Sequence, residues 1–351
     1  MKKNIIKLSV VVPTHGRVNL FEDTLKSLYY QNCKDFEVII SDDSPLIEDR
    51  DKIKKLVSLY QYKGMIIKYI FTKPNILQAP NTNQGLKIAS GSYIRILHSD
   101  DLISPQCIGK EIEFFEKNPE VDFLYHCSIA FSKQLDFVAE QEDVKMNLYK
   151  SKFWLDRSIF THTVLPSCLC FRSSLLSQVK GMDESYKFLC DWQLFFDFVM
   201  DSYKKDKSFC CFNAGYVGWR MHEESVSSTL FIEHFLEHER FIRNIIEIYK
   251  QEKIVSKRKL KQNIYDATKY RYSRLLNDLK KYKKNNSKFI PYLHYLSFLL
   301  SRKYGIVHCL VKLVFIPSQI ILILFHFIYQ VIFEPKNCIE KIEKKLAFLW
   351  K

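Results

Sequence analysis

The first 105 residues alternate between short apolar runs and amphipathic stretches, and this alternation restricts the fold more than any other feature of the chain. Leu8 to Val12 is continuously apolar and stops at Pro13, as expected of a strand covered on both faces. Helical periodicity follows from about Val18 to Gln31, then a second buried strand from Phe36 to Ser41. Asp49 to Tyr62 puts Ile53, Leu56, Val57 and Tyr60 on one helical face. Met65 to Phe71, Gln78 to Ala89 and Tyr93 to Leu97 continue as strand, helix and strand. Such a series predicts right-handed βαβ units and a Rossmann-like, largely parallel sheet with flanking helices. In sheets of this kind ligands collect beyond the carboxyl ends of the strands. Three strands end there in polar clusters: Pro13-Thr14-His15-Gly16-Arg17, Asp42-Asp43-Ser44 and His98-Ser99-Asp100-Asp101.

The adjacent carboxylates of Asp100 and Asp101 repel each other at the end of a buried strand. A cation between them and a ligand relieves that repulsion, and hard oxygen donors suit Mg²⁺ or Mn²⁺. The competing reading is a solvated pair that caps the helix starting near Pro105. The chain has no G-x-G-x-x-G and no G-x-x-x-x-G-K-[ST] segment, so a glycine-rich loop does not cradle phosphates. A sheet enzyme that handles a diphosphate without such a loop commonly uses a metal, which favours the cation reading.

Beyond the helix from Pro105 to about Lys117, Val121 to Phe131 reads as strand and Phe137 to Asn147 as a weakly patterned connection. Trp154 to Phe160, Leu165 to Phe171 and Arg172 to Val179 suggest helix, strand and helix. A turn at Gly181-Met182-Asp183-Glu184 precedes a helix from Phe188 to Met200 that carries Asp191 near its first turn. Tyr216 to Met221 is the last expected strand, followed by His222.

Taken in order, these pieces resemble the inverting family 2 glycosyltransferases of GT-A fold. The matching segments are Ser9 to Arg17, Phe36 to Ser44, Asn81 to Gly91 leading into Asp100-Asp101 and Pro105, Gly181 to Glu184 with Asp191-Trp192, and Trp219 to His222 with Ser225 and Ser227. The resemblance implies that Asp43, with Pro13, Thr14 and Arg17, holds the base and ribose of a nucleotide sugar. It implies that Asp100 is the metal-binding carboxylate of the D-x-D motif, with Asp101 beside it and Ser99 in the same binding turn. It gives Asp191 the role of catalytic base, and places Arg220 and His222 near the diphosphate. His98 stands where most members carry the first aspartate of the motif, and Cys190 replaces a glutamate that often precedes the base. No Q-x-x-R-W segment occurs, so a processive polysaccharide synthase is not expected. The expected activity is metal-dependent, inverting transfer of a single sugar to a membrane-associated or lipid-linked glycan, in surface polysaccharide or lipopolysaccharide assembly. A non-catalytic nucleotide-sugar-binding module is the first alternative, with His98 as a sign of lost chemistry, and a nucleic-acid-binding protein using the basic C-terminal third is the second and weaker one.

Charge divides the chain unevenly. Residues 1–222 carry 29 Lys and Arg against 27 Asp and Glu, whereas residues 223–351 carry 24 against 12. From Lys250 to Lys303 there are 16 basic residues and 3 acidic ones, with tyrosines interleaved. An anionic membrane surface or nucleic acid would each suit that stretch. Leu313 to Phe333 has no charged side chain over 21 residues, which favours the membrane. Pro317, the polar stripe of Gln319, His326 and Gln330, and basic flanks on both sides argue for a monotopic attachment over one transmembrane helix. The tail from Ile339 to Lys351 reads as an interfacial amphipathic helix. A buried helix pair or an oligomer interface is the remaining reading of the apolar segment, and no nucleic-acid partner is expected.

The expected organisation is a transferase domain at 1–228, a basic helical region at 229–303 and membrane-associating helices at 304–351. The ten cysteines show no C-x-x-C spacing and read as free thiols in a reducing compartment. Lys7 and Pro13 interrupt the N-terminal apolar run, so a secretory signal is not expected. Residence at the cytoplasmic face of the inner membrane follows.

Overall fold

A computed structural model describes residues 6–132, 135, 145–158, 165–222 and 231–264 of the 351-residue chain. These lie in a unit spanning Met1–Thr268, and a second unit covers Lys269–Lys351. The expectations for most of the basic region, for the apolar stretch and for the amphipathic tail fall outside the described residues.

The alternation read from the sequence is present. Strands β1 (Leu8–Thr14), β2 (Phe36–Asp42), β3 (Ile67–Phe71) and β4 (Tyr93–Ile96) alternate with helices α1 (Val18–Tyr29), α2 (Ile47–Tyr62) and α3 (Gln78–Lys87). They pair in parallel in the order β3-β2-β1-β4, with Val10 opposite Val38 on one side and Arg95 on the other. Every residue of β1 and β2 is buried, which explains why both read as unbroken apolar runs rather than as alternating ones. Two glycines set the close approaches. A Cβ on Gly85 would fall 2.5 Å from Val11 Cγ1, and one on Gly91 would fall 2.6 Å from the backbone nitrogen of Ser9.

Beyond β4 the sheet is mixed rather than parallel. It continues through β5 (Leu102–Ile103), β6 (Phe123–Phe131), β7 (Lys145–Lys150), β8 (Leu169–Arg172) and β9 (Ser208–Arg220), with α4 (Cys107–Lys117), α5 (Ser151–Ser158) and α6 (Cys190–Lys204) around it. β8 runs antiparallel to both β4 and β6, β9 is parallel to β6, and β5 and β7 pair antiparallel with β9. The full order is β3-β2-β1-β4-β8-β6-β9-β5, with β7 on β9. Three expectations need correction. Residues 145–147, expected at the end of a connection, open the strand Lys145–Lys150, Ser173–Ser177 is a single 3₁₀ turn rather than a helix, and β9 begins eight residues before Tyr216. The core of this half is aromatic: Phe123 stacks on Phe209 at 4.7 Å, and Phe195, Phe198 and Trp154 pack around them. A further helix, α7 (Phe231–Gln251), lies against α6 through Phe241, whose ring is 4.8 Å from that of Trp192.

Candidate active site

At the end of β1 the chain enters α1 through two left-handed residues, Gly16 (φ 63°) and Arg17 (φ 50°). Left-handed backbone is costly for a residue with a Cβ. Here the turn carries the Arg17 guanidinium over the end of β4, where Nη1 donates to Asp100 Oδ2 at 2.7 Å. His222, just after β9, reaches the same oxygen at 3.1 Å. Burial alone would raise the Asp100 carboxyl, but Arg17, His98 and His222 outweigh it and hold that carboxyl below its ordinary value.

Asp101 has a different environment. Its Oδ2 accepts from Ser167 Oγ at 2.5 Å and its Oδ1 from the backbone N–H of Arg220 at 2.9 Å. Burial, then the neighbouring Asp100 charge, pushes its carboxyl up to about 7. Ser167 also accepts from the His98 backbone N–H at 3.0 Å, so one hydroxyl holds both ends of the His98–Asp101 turn. The Arg220 side chain bridges outward, donating to the Asp100 carbonyl at 2.9 Å and to Asp23 at 3.0 Å.

His98, Asp100 and Asp101 each present one ligand atom, all within 4.8 Å of one another. An imidazole nitrogen with two carboxylate oxygens is a donor set that Mn²⁺ accepts readily, and Mg²⁺ less so. Burial lowers the His98 pKa, with Asp100 and Asp191 pulling the other way, so the neutral ring keeps a lone pair for such an ion. Asp191 itself lies in the first turn of α6, is nearly buried, and accepts from the Trp192 backbone N–H at 2.7 Å.

A second pocket edge is formed by the end of β2. Asp43 Oδ1 pairs with His15 Nδ1 at 2.9 Å and accepts from Asn81 Nδ2 at 3.3 Å, while Oδ2 accepts from Leu77 N at 3.3 Å. The hydrogen bond to Asp43 raises the His15 pKa. Pro13 and Thr14 are the last two residues of β1, with the Thr14 carbonyl accepting from Asp43 N at 3.1 Å. Ser99 is buried in the turn after β4.

Thus Arg17, Asp100, Asp101, Arg220 and His222 converge directly, and Asp43 stands at the neighbouring strand end with Pro13 and Thr14. Ser167, Asp23 and Asn81 belong to the same assembly, although the sequence singled out none of them. Asn81 opens the segment whose resemblance was noted, but Ser167 meets Asp101 from 66 positions away and carries no local signal.

An α/β sheet whose strand ends gather acidic and guanidinium side chains has the architecture of the GT-A fold. The chain carries a family 2 glycosyltransferase region: residues 9–179 match the model described as Glycosyl transferase family 2. An uncharacterized glycosyltransferase of Methanocaldococcus jannaschii is 24% identical over 200 residues, covering 57% of this chain and 67% of that protein. The Campylobacter jejuni GalNAc(5)-diNAcBac-PP-undecaprenol beta-1,3-glucosyltransferase is 42% identical over 97 residues, 27% of this chain and 30% of that one. This chain spans less than a third of the length of several such relatives. Among solved structures, S. aureus TarS 1–349 in complex with UDP-GlcNAc superposes with a TM-score of 0.60 at 20% identity, over 84% of this chain and 81% of that one. A mannosyltransferase of Pyrobaculum calidifontis, solved with GDP-Man and Mn²⁺, gives 0.51 at 13% identity, over 84% and 80%.

Proposed function

We propose that the chain transfers a single sugar, with inversion, from a nucleotide-sugar donor to a lipid-linked or membrane-associated glycan at the cytoplasmic face of the inner membrane. The observation that most favours this is the convergence of Arg17, Arg220 and His222 on the Asp100–Asp101 turn, with Asp191 in the first turn of α6. In this reading Asp191 accepts the proton of the acceptor hydroxyl as it attacks the anomeric carbon, a contribution of roughly 10²–10⁴-fold. Arg17, Arg220 and His222 lie where charge develops on the departing nucleoside diphosphate, and a guanidinium offers it a two-pronged fork. Asp43, with Pro13 and Thr14, receives the base and ribose.

Asp100, His98 and Asp101 would hold a divalent cation, which when bound supplies further charge neutralisation at the diphosphate. The acceptor class is suggested by the lipid-linked glycan in the name of the Campylobacter relative and by the basic and apolar composition of residues 250–351. Among the described residues no helix is long and apolar enough to cross a membrane.

The test is a screen of nucleotide sugars for Mn²⁺-dependent donor hydrolysis and for transfer to lipid-linked glycans, with Asp191→Asn alongside. The variant is expected to bind donor and to transfer nothing. Full transfer by Asp191→Asn removes that residue from the mechanism, and donor binding without turnover by the wild type would make the chain a binding module.

A further inference from the structure

Helix α6 begins without a cap of its own. Its N-cap residue is Leu189, which makes no side-chain capping hydrogen bond. The amides that lead into the first turn are instead met from α7. Glu237 Oε1 accepts from the backbone N–H groups of Phe188 at 2.8 Å and Leu189 at 2.9 Å, and Oε2 accepts from Lys187 N at 3.0 Å. One carboxylate therefore gathers three consecutive amides directly ahead of the turn that carries Asp191.

The same face of α7 continues the grip. Arg240 donates to the Ser185 carbonyl and stacks over the Tyr186 ring at 4.4 Å, and Asn244 donates to the Tyr186 hydroxyl at 2.7 Å. Glu237, Arg240 and Asn244 are spaced as neighbours along one helical face. His238 and Phe241, on the adjoining face, pack on Trp192 at 4.7 and 4.8 Å. At its other end the 182–189 segment is tied to α3, where Asn83 donates to the Met182 carbonyl at 2.8 Å and accepts from Met182 N at 2.9 Å. The fixed frame of α3 and the clamp of α7 thus hold the loop before Asp191 from both sides. The family match stops at residue 179, so this clamp lies in the part of the chain beyond it.

We propose that Glu237 is a positioning residue for Asp191. Its carboxylate fixes the 187–189 amides, and through them the angle at which the first turn of α6 presents the base to the acceptor hydroxyl. The proposal rests on the transferase reading, because it concerns the base of that reaction. Both Glu237 oxygens are taken up by the 187–189 amides, so its loss is expected in turnover and not in donor binding. A displacement of about 1 Å at a reacting group costs on the order of 10²-fold in rate.

The test uses the full chain with Glu237→Ala, Glu237→Gln and Glu237→Asp. The alanine variant is expected to lower kcat by roughly 10- to 100-fold while the donor KM and nucleoside diphosphate affinity stay near wild type. Glutamine keeps an acceptor for Phe188 and Leu189 and is expected to recover most of the rate. Hydrogen exchange at the amides of 187–189 should rise in Glu237→Ala, a readout that needs no turnover.

An unchanged kcat, a donor affinity that falls in step with kcat, or amides that stay protected would each overturn the proposal. If the alanine variant does not fold, Glu237→Asp decides, since its shorter side chain must lower kcat with KM unchanged. A wild type that turns over no donor would sink the transferase reading instead, while the exchange result still reports on the clamp.

Discussion

Replacing Glu111 by alanine is expected to cost the chain about 3–5 kcal/mol, the range for stripping one partner from a buried ion pair. Glu111, on α4, and Arg95, in β4, are both fully buried and directly paired. His126 of β6 adds a second donor to the same Glu111 oxygen at 2.7 Å. Burial works against the Glu111 charge, yet Arg95 and His126 prevail and hold its carboxyl below the ordinary value. Glu111→Ala leaves a guanidinium in the core with one strong acceptor, the Ser167 carbonyl. Set against a typical domain stability of about 5–15 kcal/mol, that loss is between roughly a fifth and the whole of the total. Urea unfolding should register it as a midpoint lower by roughly 1–2 M at an ordinary denaturant slope.

The companion variant Arg95→Met/Glu111→Leu removes both charges together. Swapping a buried ion pair for apolar side chains of similar size is often neutral, so stability should return to within roughly 2 kcal/mol of wild type, with His126 left short of an acceptor. Nucleotide binding should not return with it. Arg95 also donates to the Ser167 carbonyl, and Ser167 Oγ holds Asp101 and the His98 amide. A penalty for Glu111→Ala below about 1 kcal/mol, or a double variant as unstable as the single one, would refute the idea that the charges are locked together in the core.

The remaining predictions concern individual positions. Burial pushes Asp197 up to about 6 from an ordinary 3.8, so the folded chain keeps a proton that the unfolded chain gives up near pH 4. The stability associated with that proton is present below pH 4 and lost as the pH rises through 6; Asp197→Asn, which can still accept from Gln193, should gain on the order of 1–3 kcal/mol at pH 7.5 and nothing at pH 4, as read by thermal melts at both. Gly91→Ala drives a Cβ to 2.6 Å from Ser9 N and 2.7 Å from the Leu8 carbonyl carbon, both immovable backbone of β1; it should cost about 1–3 kcal/mol, and an unchanged melting temperature would contradict the packing described. Asp100→Asn frees Arg17 and His222 and is expected to weaken Mn²⁺-stimulated nucleoside diphosphate binding at least ~10-fold by calorimetry, with metal-free binding less affected.

What the sequence disclosed about this fold follows from how each element is buried. β1 and β2 are covered on both faces, so their apolar runs are continuous and their ends plain to see. β5 is only two residues long, and β7 is an edge strand with Met146 and Leu148 exposed, so neither has a periodicity to read. The site divides in the same way. Asp100, Arg17 and His222 could be assigned together because each sits in a segment resembling a known family in the expected order. Asp101 shared that segment, yet its two oxygens are met by Ser167 and by the Arg220 backbone, partners set by tertiary contacts that local pattern does not encode. Glu237 is silent for the same reason: in the sequence it is one more acid on an amphipathic helix.

The seam between the two halves of the sheet accounts for where the chemistry gathers. β4 is parallel to β1 on one side and antiparallel to β8 on the other, so strand direction reverses beside the turn that bears Asp100. Crevices form where strand order or direction changes, because the connecting chain parts to either side. Side chains from both halves must then be held in register across that gap by something stiffer than apolar contact. The buried Arg95–Glu111–His126 group, with Ser167, joins β4, α4, β6 and the 3₁₀ turn before β8 across the seam. Each charge costs desolvation, and apolar residues would hold the core as well. What apolar residues lack is direction: only a donor aimed at the Ser167 carbonyl turns its hydroxyl toward Asp101 and the His98 amide. On this view the polar core orients the acidic turn, and its energetic expense is the cost of fixing Asp100 opposite Arg17.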